Sequence, residues 1–212
     1  MNDYQREQWD ALELASDCLE RLDDRERDTL MGEMQPYLQF RHSVDRFLGT
    51  HLHTYCTSSC YTNQRSACCA KDGIVTFWAD LVINLSCSDR RAIDNLRQSL
   101  RAPAYEDKCT YLGPKGCRWQ VRPLMCALFL CDAADTDIIS ADKKRADAWS
   151  DLKRRADGFR WPVGSVLFDR LELFFLERGH RSSLMYINTT PALMRVKQQA
   201  HKLAAHGGTD RQ

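Results

Sequence analysis

Long apolar runs are missing from this 212-residue chain: the longest candidates, near 124–131 and 173–176, fall well short of the roughly 18–20 residues a membrane-spanning helix needs. The opening residues, MNDYQREQWD, contain neither a basic stretch nor an apolar one, so no secretory signal is expected there. A dominant charge is missing too. The 30 Lys and Arg nearly cancel the 29 Asp and Glu, leaving a formal +1 and no global polyanion-binding signature. The basic runs at 142–147 and 151–157 are interleaved with Asp, and Lys143/Asp147 and Asp151/Arg155 fall at i,i+4 spacing. They read as ion-paired helix faces and not as a nucleic-acid stripe. The ten glycines include no Gly-x-Gly, hence no conventional glycine-rich cofactor loop, and there is no internal repeat or low-complexity linker. Together these absences predict a cytoplasmic setting with neither membrane nor nucleic acid as partner.

Cysteine is plentiful. Residues 108–131 read KCTYLGPKGCRWQVRPLMCALFLC, and residues 56–69 read CTSSCYTNQRSACC. Eight of the ten cysteines lie in these two stretches; Cys18 and Cys87 stand apart and read as small core side chains. A chain of this length buries a real core without disulfide staples, and a reducing compartment turns clustered thiols toward metal ligation or redox chemistry. Catalytic thiol chemistry is the weaker alternative. There is no Cys-x-x-Cys pair in a thioredoxin-like setting, and only His51 and His53 lie near as bases.

The periodicity predicts a mostly α protein of one unit: N-terminal helices over 1–49, a cysteine-cluster metal-binding region over 50–131, and C-terminal helices over 132–212 packed on it. Trp9, Leu12, Ala15, Leu19 and Leu22 define a helix over 7–22. A short helix to Met34 is followed by another that Pro36 opens and Gly49 stops, with Tyr37, Phe40, Val44 and Phe47 on one face. Residues 51–70 lose the helical period. GIVTFWADLVINL (73–85) reads as a strand at its start, Ser88 caps a helix over 89–101, and GPKG turns a small β-hairpin. The apolar run LMCALFLC after Pro123 suits a buried helix, with a strand equally compatible with the periodicity of so short a segment. Later helices carry Trp149, Leu152, Ala156 and Phe159, then residues 164–178, then 191–205 behind Thr190 and Pro191.

The candidate metal ligands are Cys56, Cys60, Cys68, Cys69, Cys109, Cys117, Cys126 and Cys131. Only Cys56/Cys60 and Cys126/Cys131 approach a zinc-knuckle spacing. The adjacent Cys68 and Cys69 point apart on either kind of regular backbone, so they suit two sites, or two irons of one cluster. That puts an iron–sulfur cluster ahead of zinc. Four thiolates leave a site at about −2, which Lys108, Lys115, Arg118 and Arg122 could offset if they face it.

The combined pattern, CTSSC, then CC, then C-TYLGPKG-C-RWQVRP-LM-C, resembles the YkgJ-type cysteine-cluster family, regarded as zinc- or iron-chelating. The resemblance spans roughly residues 56–131. It implies ligand roles for Cys56, Cys60, Cys68, Cys69, Cys109, Cys117 and Cys126, with Arg122-Pro123 as the family's dipeptide. The chain departs from the pattern in the long gap between Cys60 and Cys68, in Ala127 where an Arg often stands, and in the additional Cys131. A related domain occurs in flagellin lysine N-methylases, which are longer chains. Three functions are therefore expected in this order: a metal-binding protein with a redox or electron-transfer role, a zinc-stabilised protein-interaction module, and an enzyme modifying protein side chains. Any protein partner or substrate is left open.

Overall fold

The computed structural model describes residues 1–63, 68–69, 76–159 and 167–186. Helix α1 (Asp3–Glu20) starts ahead of its apolar stripe because a capping box sets its end. The Asn2 side chain accepts from the Gln5 N–H at 2.8 Å, and Gln5 Oε1 accepts from the Asn2 N–H at 2.6 Å. Asp23 and Glu26 form a second box, which opens α2 (Asp24–His51).

Where the sequence suggested a break at Pro36 and a stop at Gly49, α2 runs through both. An interior proline costs a helix about 3 kcal/mol. Leu30, Met34, Tyr37, Phe40 and Val44 are buried along one face of α2, each contributing about 1.5–3 kcal/mol, so burial wins. Leu52 interrupts the helix, and α3 (His53–Cys56) passes directly into a π-helical turn, Thr57–Tyr61.

Residues 73–75, where a strand was expected, lie outside the described residues, but α4 (Trp78–Cys87) is a helix. Its residues from Trp78 to Asn84 are all buried, so contact on every side overrides the β preference of a Val- and Ile-rich run. Asp89, and not Ser88, caps α5 (Arg90–Arg101), accepting from the Ala92 N–H at 2.7 Å. The hairpin is present: β1 (Leu112–Gly113) pairs antiparallel with β2 (Gly116–Cys117), and Gly116 takes a φ of +107°, which favours glycine.

After α6 (Leu124–Leu128) the chain is extended at Phe129, so the apolar run there is helical only in part. Helix α7 (Asp132–Ala134) leads into a second π-helical turn, Asp135–Ile139. Helix α8 (Lys143–Ala156) lies on α2, where Trp149 stacks on Phe47 with ring centroids 5.3 Å apart. Helix α9 (Leu167–Glu177) packs on α2 and α4 through Phe168 against Tyr37 and Phe175 against Trp78. The helix expected over 191–205 lies outside the described residues.

Among the described residues the chain is therefore mostly α with a small hairpin. Helix α1 lies across α4 and α5, α4 meets α9, and α2 meets α6, α8 and α9. Among the described residues, no helix is long and apolar enough to cross a membrane.

Candidate metal centre

The hairpin is tied down before any thiol is considered. Gln8 on α1 is buried and its Oε1 accepts from the Tyr111 hydroxyl at 3.0 Å and from the Thr76 hydroxyl at 2.7 Å. Tyr111 and Trp119, both buried, meet edge to face at 4.9 Å. Those contacts hold the two ends of the hairpin, and with them Cys109 and Cys117. The Cys109 N–H donates to the Cys69 carbonyl at 2.9 Å, so the end of the upstream cluster lies alongside.

The thiols of this region act on one another electrostatically. Cys109 experiences Cys117, Cys69 and Cys126; Cys117 experiences Cys69 and Cys126; Cys126 experiences Cys69. Every pair among these four thiols is thus in electrostatic reach. Two of them also accept backbone hydrogen bonds two residues on, Cys109 from the Tyr111 N–H at 3.4 Å and Cys117 from the Trp119 N–H. An N–H aimed at sulfur favours the thiolate, the form that ligates metal.

The remaining clustered cysteines gather beside α3. Cys56 ends α3 and Cys60 lies in the π-helical turn that follows. The Tyr55 hydroxyl donates to Asp137 Oδ2 at 2.6 Å, which fastens this segment to the turn just beyond Cys131. Cys56 is in reach of Cys131 and Cys60, and Cys68 accepts from the Cys131 N–H. Cys18 is buried in α1 among apolar side chains, and Cys87 lies at the end of α4 with burial alone raising its pKa. Neither approaches the group.

Burial dominates the titration. It pushes Cys109 and Cys68 up to about 12 and Cys117 up to about 11, neighbouring thiols adding to the effect. Cys68 and Cys117 are exposed as residues, yet enough protein surrounds each sulfur to penalise its anion. Arg122 opposes this: its charge lowers the pKa of Cys56, Cys69, Cys117 and Cys126. Lys108 does the same for Cys69. Arg118 instead reaches back to α5, donating to the Asn95 carbonyl and Gln98 Oε1, and Lys115 is exposed at the hairpin turn. A cleft of about 400 Å³ between α5 and the hairpin opens beside Cys117.

Arg41 was not a candidate from the sequence. Its side chain is 2% exposed, and Nη1 donates to the Arg122 carbonyl and, at 3.2 Å, to the Tyr37 hydroxyl. Its charge reaches both Cys126 and buried Asp80. Asp80 accepts from the Phe77 and Leu124 N–H groups, and desolvation lifts its pKa to about 6. The available clue was positional, because Arg41 shares its helix face with Tyr37, Phe40 and Val44.

None of the ten cysteines is in a disulfide. Among the described residues, no three Cys, His, Asp or Glu side chains converge on one point as a preformed cation site. The donor chemistry nevertheless fits a thiophilic centre: clustered sulfurs, N–H groups directed at two of them, and a buried guanidinium and Arg122 to offset their charge. No protein-family model, curated protein or solved structure matches the chain.

Proposed function

We propose that this is a metal-binding protein of the YkgJ-type cysteine-cluster kind, holding iron–sulfur or zinc through its clustered thiolates, with electron transfer as its first role. The observation that carries this reading is that Cys69, Cys109, Cys117 and Cys126, from three separate chain segments, lie in electrostatic reach of one another, with Cys109 hydrogen-bonded to Cys69 through the backbone. Packing alone gives no reason to bring four thiols together around two directed N–H groups. Binding would draw these sulfurs together, starting from the backbone hydrogen bond that already joins Cys109 to Cys69. When bound, an iron–sulfur cluster supplies one-electron chemistry, whereas zinc supplies only order. The chain's part is to present sulfur, balance charge through Arg122 and Arg41, and leave Cys117 beside an open cleft.

A zinc-stabilised interaction module is the second reading, favoured by the N–H groups that Tyr111 and Trp119 direct at the hairpin thiols. Anaerobic purification separates the two. Brown protein with iron and acid-labile sulfide supports the first, and colourless protein with stoichiometric zinc supports the second. Protein that takes up neither metal, even on reconstitution, would end both.

Proton competition follows directly. At neutral pH the metal-free thiols of Cys68, Cys109 and Cys117 are protonated, because their values lie above the ordinary 9.0. Zinc uptake should therefore release protons and tighten by at least about tenfold per pH unit between pH 6 and 8. A raised folded-state value also makes these thiols stabilise the metal-free fold below about pH 9, a contribution lost as pH rises through 11–12. Chelator-competition titrations at several pH values check the first effect. An affinity independent of pH would mean that thiolates are not the ligands.

A further inference from the structure

We propose that the eight clustered cysteines form two separate four-thiolate metal sites: Cys69, Cys109, Cys117 and Cys126 at the hairpin, and Cys56, Cys60, Cys68 and Cys131 beside α3. The inference rests on the metal-binding reading above and adds the number and membership of the sites.

Ligand number points this way whichever metal is bound. A structural zinc ion takes four ligands, and an iron–sulfur cluster is likewise held by four protein thiolates. Eight clustered thiols exceed what one such centre accepts. The backbone supplies the division. The hairpin register and the Cys109–Cys69 hydrogen bond assemble the first set on one side. The Tyr55–Asp137 hydrogen bond, and the Cys131 N–H donated to Cys68, assemble the second on the other.

Cys68 and Cys69 are the point of separation. Consecutive side chains diverge, and here Cys68 is exposed and faces Cys131 while Cys69 is half-buried and lies against Cys109. The adjacent pair therefore delivers one ligand to each site. The two sets adjoin: Cys60 is in electrostatic reach of Cys69 as well as of Cys56, and the Tyr61 hydroxyl donates to the Pro114 carbonyl at 2.8 Å, fastening the π-helical turn to the hairpin. Two M²⁺ sites of four thiolates carry about −2 each. Arg122 lies within electrostatic reach of Cys56 in one set and of Cys69, Cys117 and Cys126 in the other. A single cation thus serves both.

Cobalt(II) alone, titrated anaerobically into the reduced, metal-free full-length protein, tests the division through its tetrahedral thiolate absorption. Wild type should bind two equivalents. Cys117→Ser and Cys126→Ser should each bind one, as should Cys56→Ser and Cys131→Ser, while Cys117→Ser combined with Cys131→Ser binds none and Cys18→Ser still binds two. The equivalent retained by each single variant reports that the rest of the chain is folded. One equivalent in wild type, abolished by substitution in either set, would overturn the division while leaving the metal-binding reading intact. No tetrahedral thiolate site in wild type at all would overturn both.

Discussion

Removing the proposed metal from the reduced protein is expected to lower amide protection over residues 53–63 by at least about a hundredfold, while α1, α4 and α9 keep theirs. The helices carry their own reasons to stay. Leu12 and Ala15, Trp78 to Ile83, and Phe168 and Phe175 are buried in the apolar core where α1 meets α4 and α4 meets α9. Residues 53–63 differ: α3 and the π-helical turn bury no side chain fully. Ordering such a stretch costs about 10–20 kcal/mol at roughly 1–2 kcal/mol per residue. Structural metal binding contributes about 10–16 kcal/mol, which is of the size required. The hairpin should respond less, because Tyr111, Leu112 and Trp119 are buried and Gln8 anchors Tyr111. Hydrogen exchange on metal-free and metal-loaded protein measures the difference. Equal protection of residues 53–63 in both states would show that metal does not order this segment.

Substituting Arg41 is expected to have the second large effect. Arg41→Met should destabilise the protein by about 2–4 kcal/mol near pH 7, because it strands a buried acceptor and leaves Asp80 without its nearby cation. The pH dependence distinguishes this from lost packing, since Met preserves much of the volume. Asp80 titrates at about 6 in the folded protein, above its ordinary 3.8. It therefore contributes stability that is complete below about 3.8 and lost as pH rises through 6. Arg41 lowers that folded-state value, so its removal raises it and enlarges the loss on the alkaline side. The variant should be closer to wild type at pH 5 than at pH 7.5, and Asp80→Asn in the same chain should recover part of the difference. Denaturant midpoints at the two pH values provide the measurement, and a pH-independent loss would contradict this account. Cys126, which Arg41 also favours as the thiolate, should bind metal more weakly in Arg41→Met.

Much of the architecture could be read from spacing alone. Apolar side chains at three- and four-residue steps located α1, α5 and α8, and GPKG located the hairpin, because helical period and turn chemistry are local properties. Element ends were harder to place. Asn2 with Gln5 began α1 before the stripe, and Asp89 displaced Ser88 as a cap, since capping depends on which side chain meets the free N–H.

Other features were decided only by tertiary contact. Pro36 and Gly49 are breakers in isolation, yet α2 continues through both because the core below it rewards one continuous apolar face. The Val- and Ile-rich stretch at 82–83 is helical because it is buried on all sides. The eight thiols were visible as two clusters along the chain, but their grouping in space is different. Cys69 is in electrostatic reach of Cys109, Cys117 and Cys126 and also of Cys60, while Cys131 is in reach of Cys56 and Cys68. The sequence by itself determined the donor chemistry, because only residue type is needed to make a soft ligand. The folded backbone decided which donors come within reach of one another and put Arg41 in reach of Cys126, because those positions are set by hydrogen bonds and packing between segments remote along the chain.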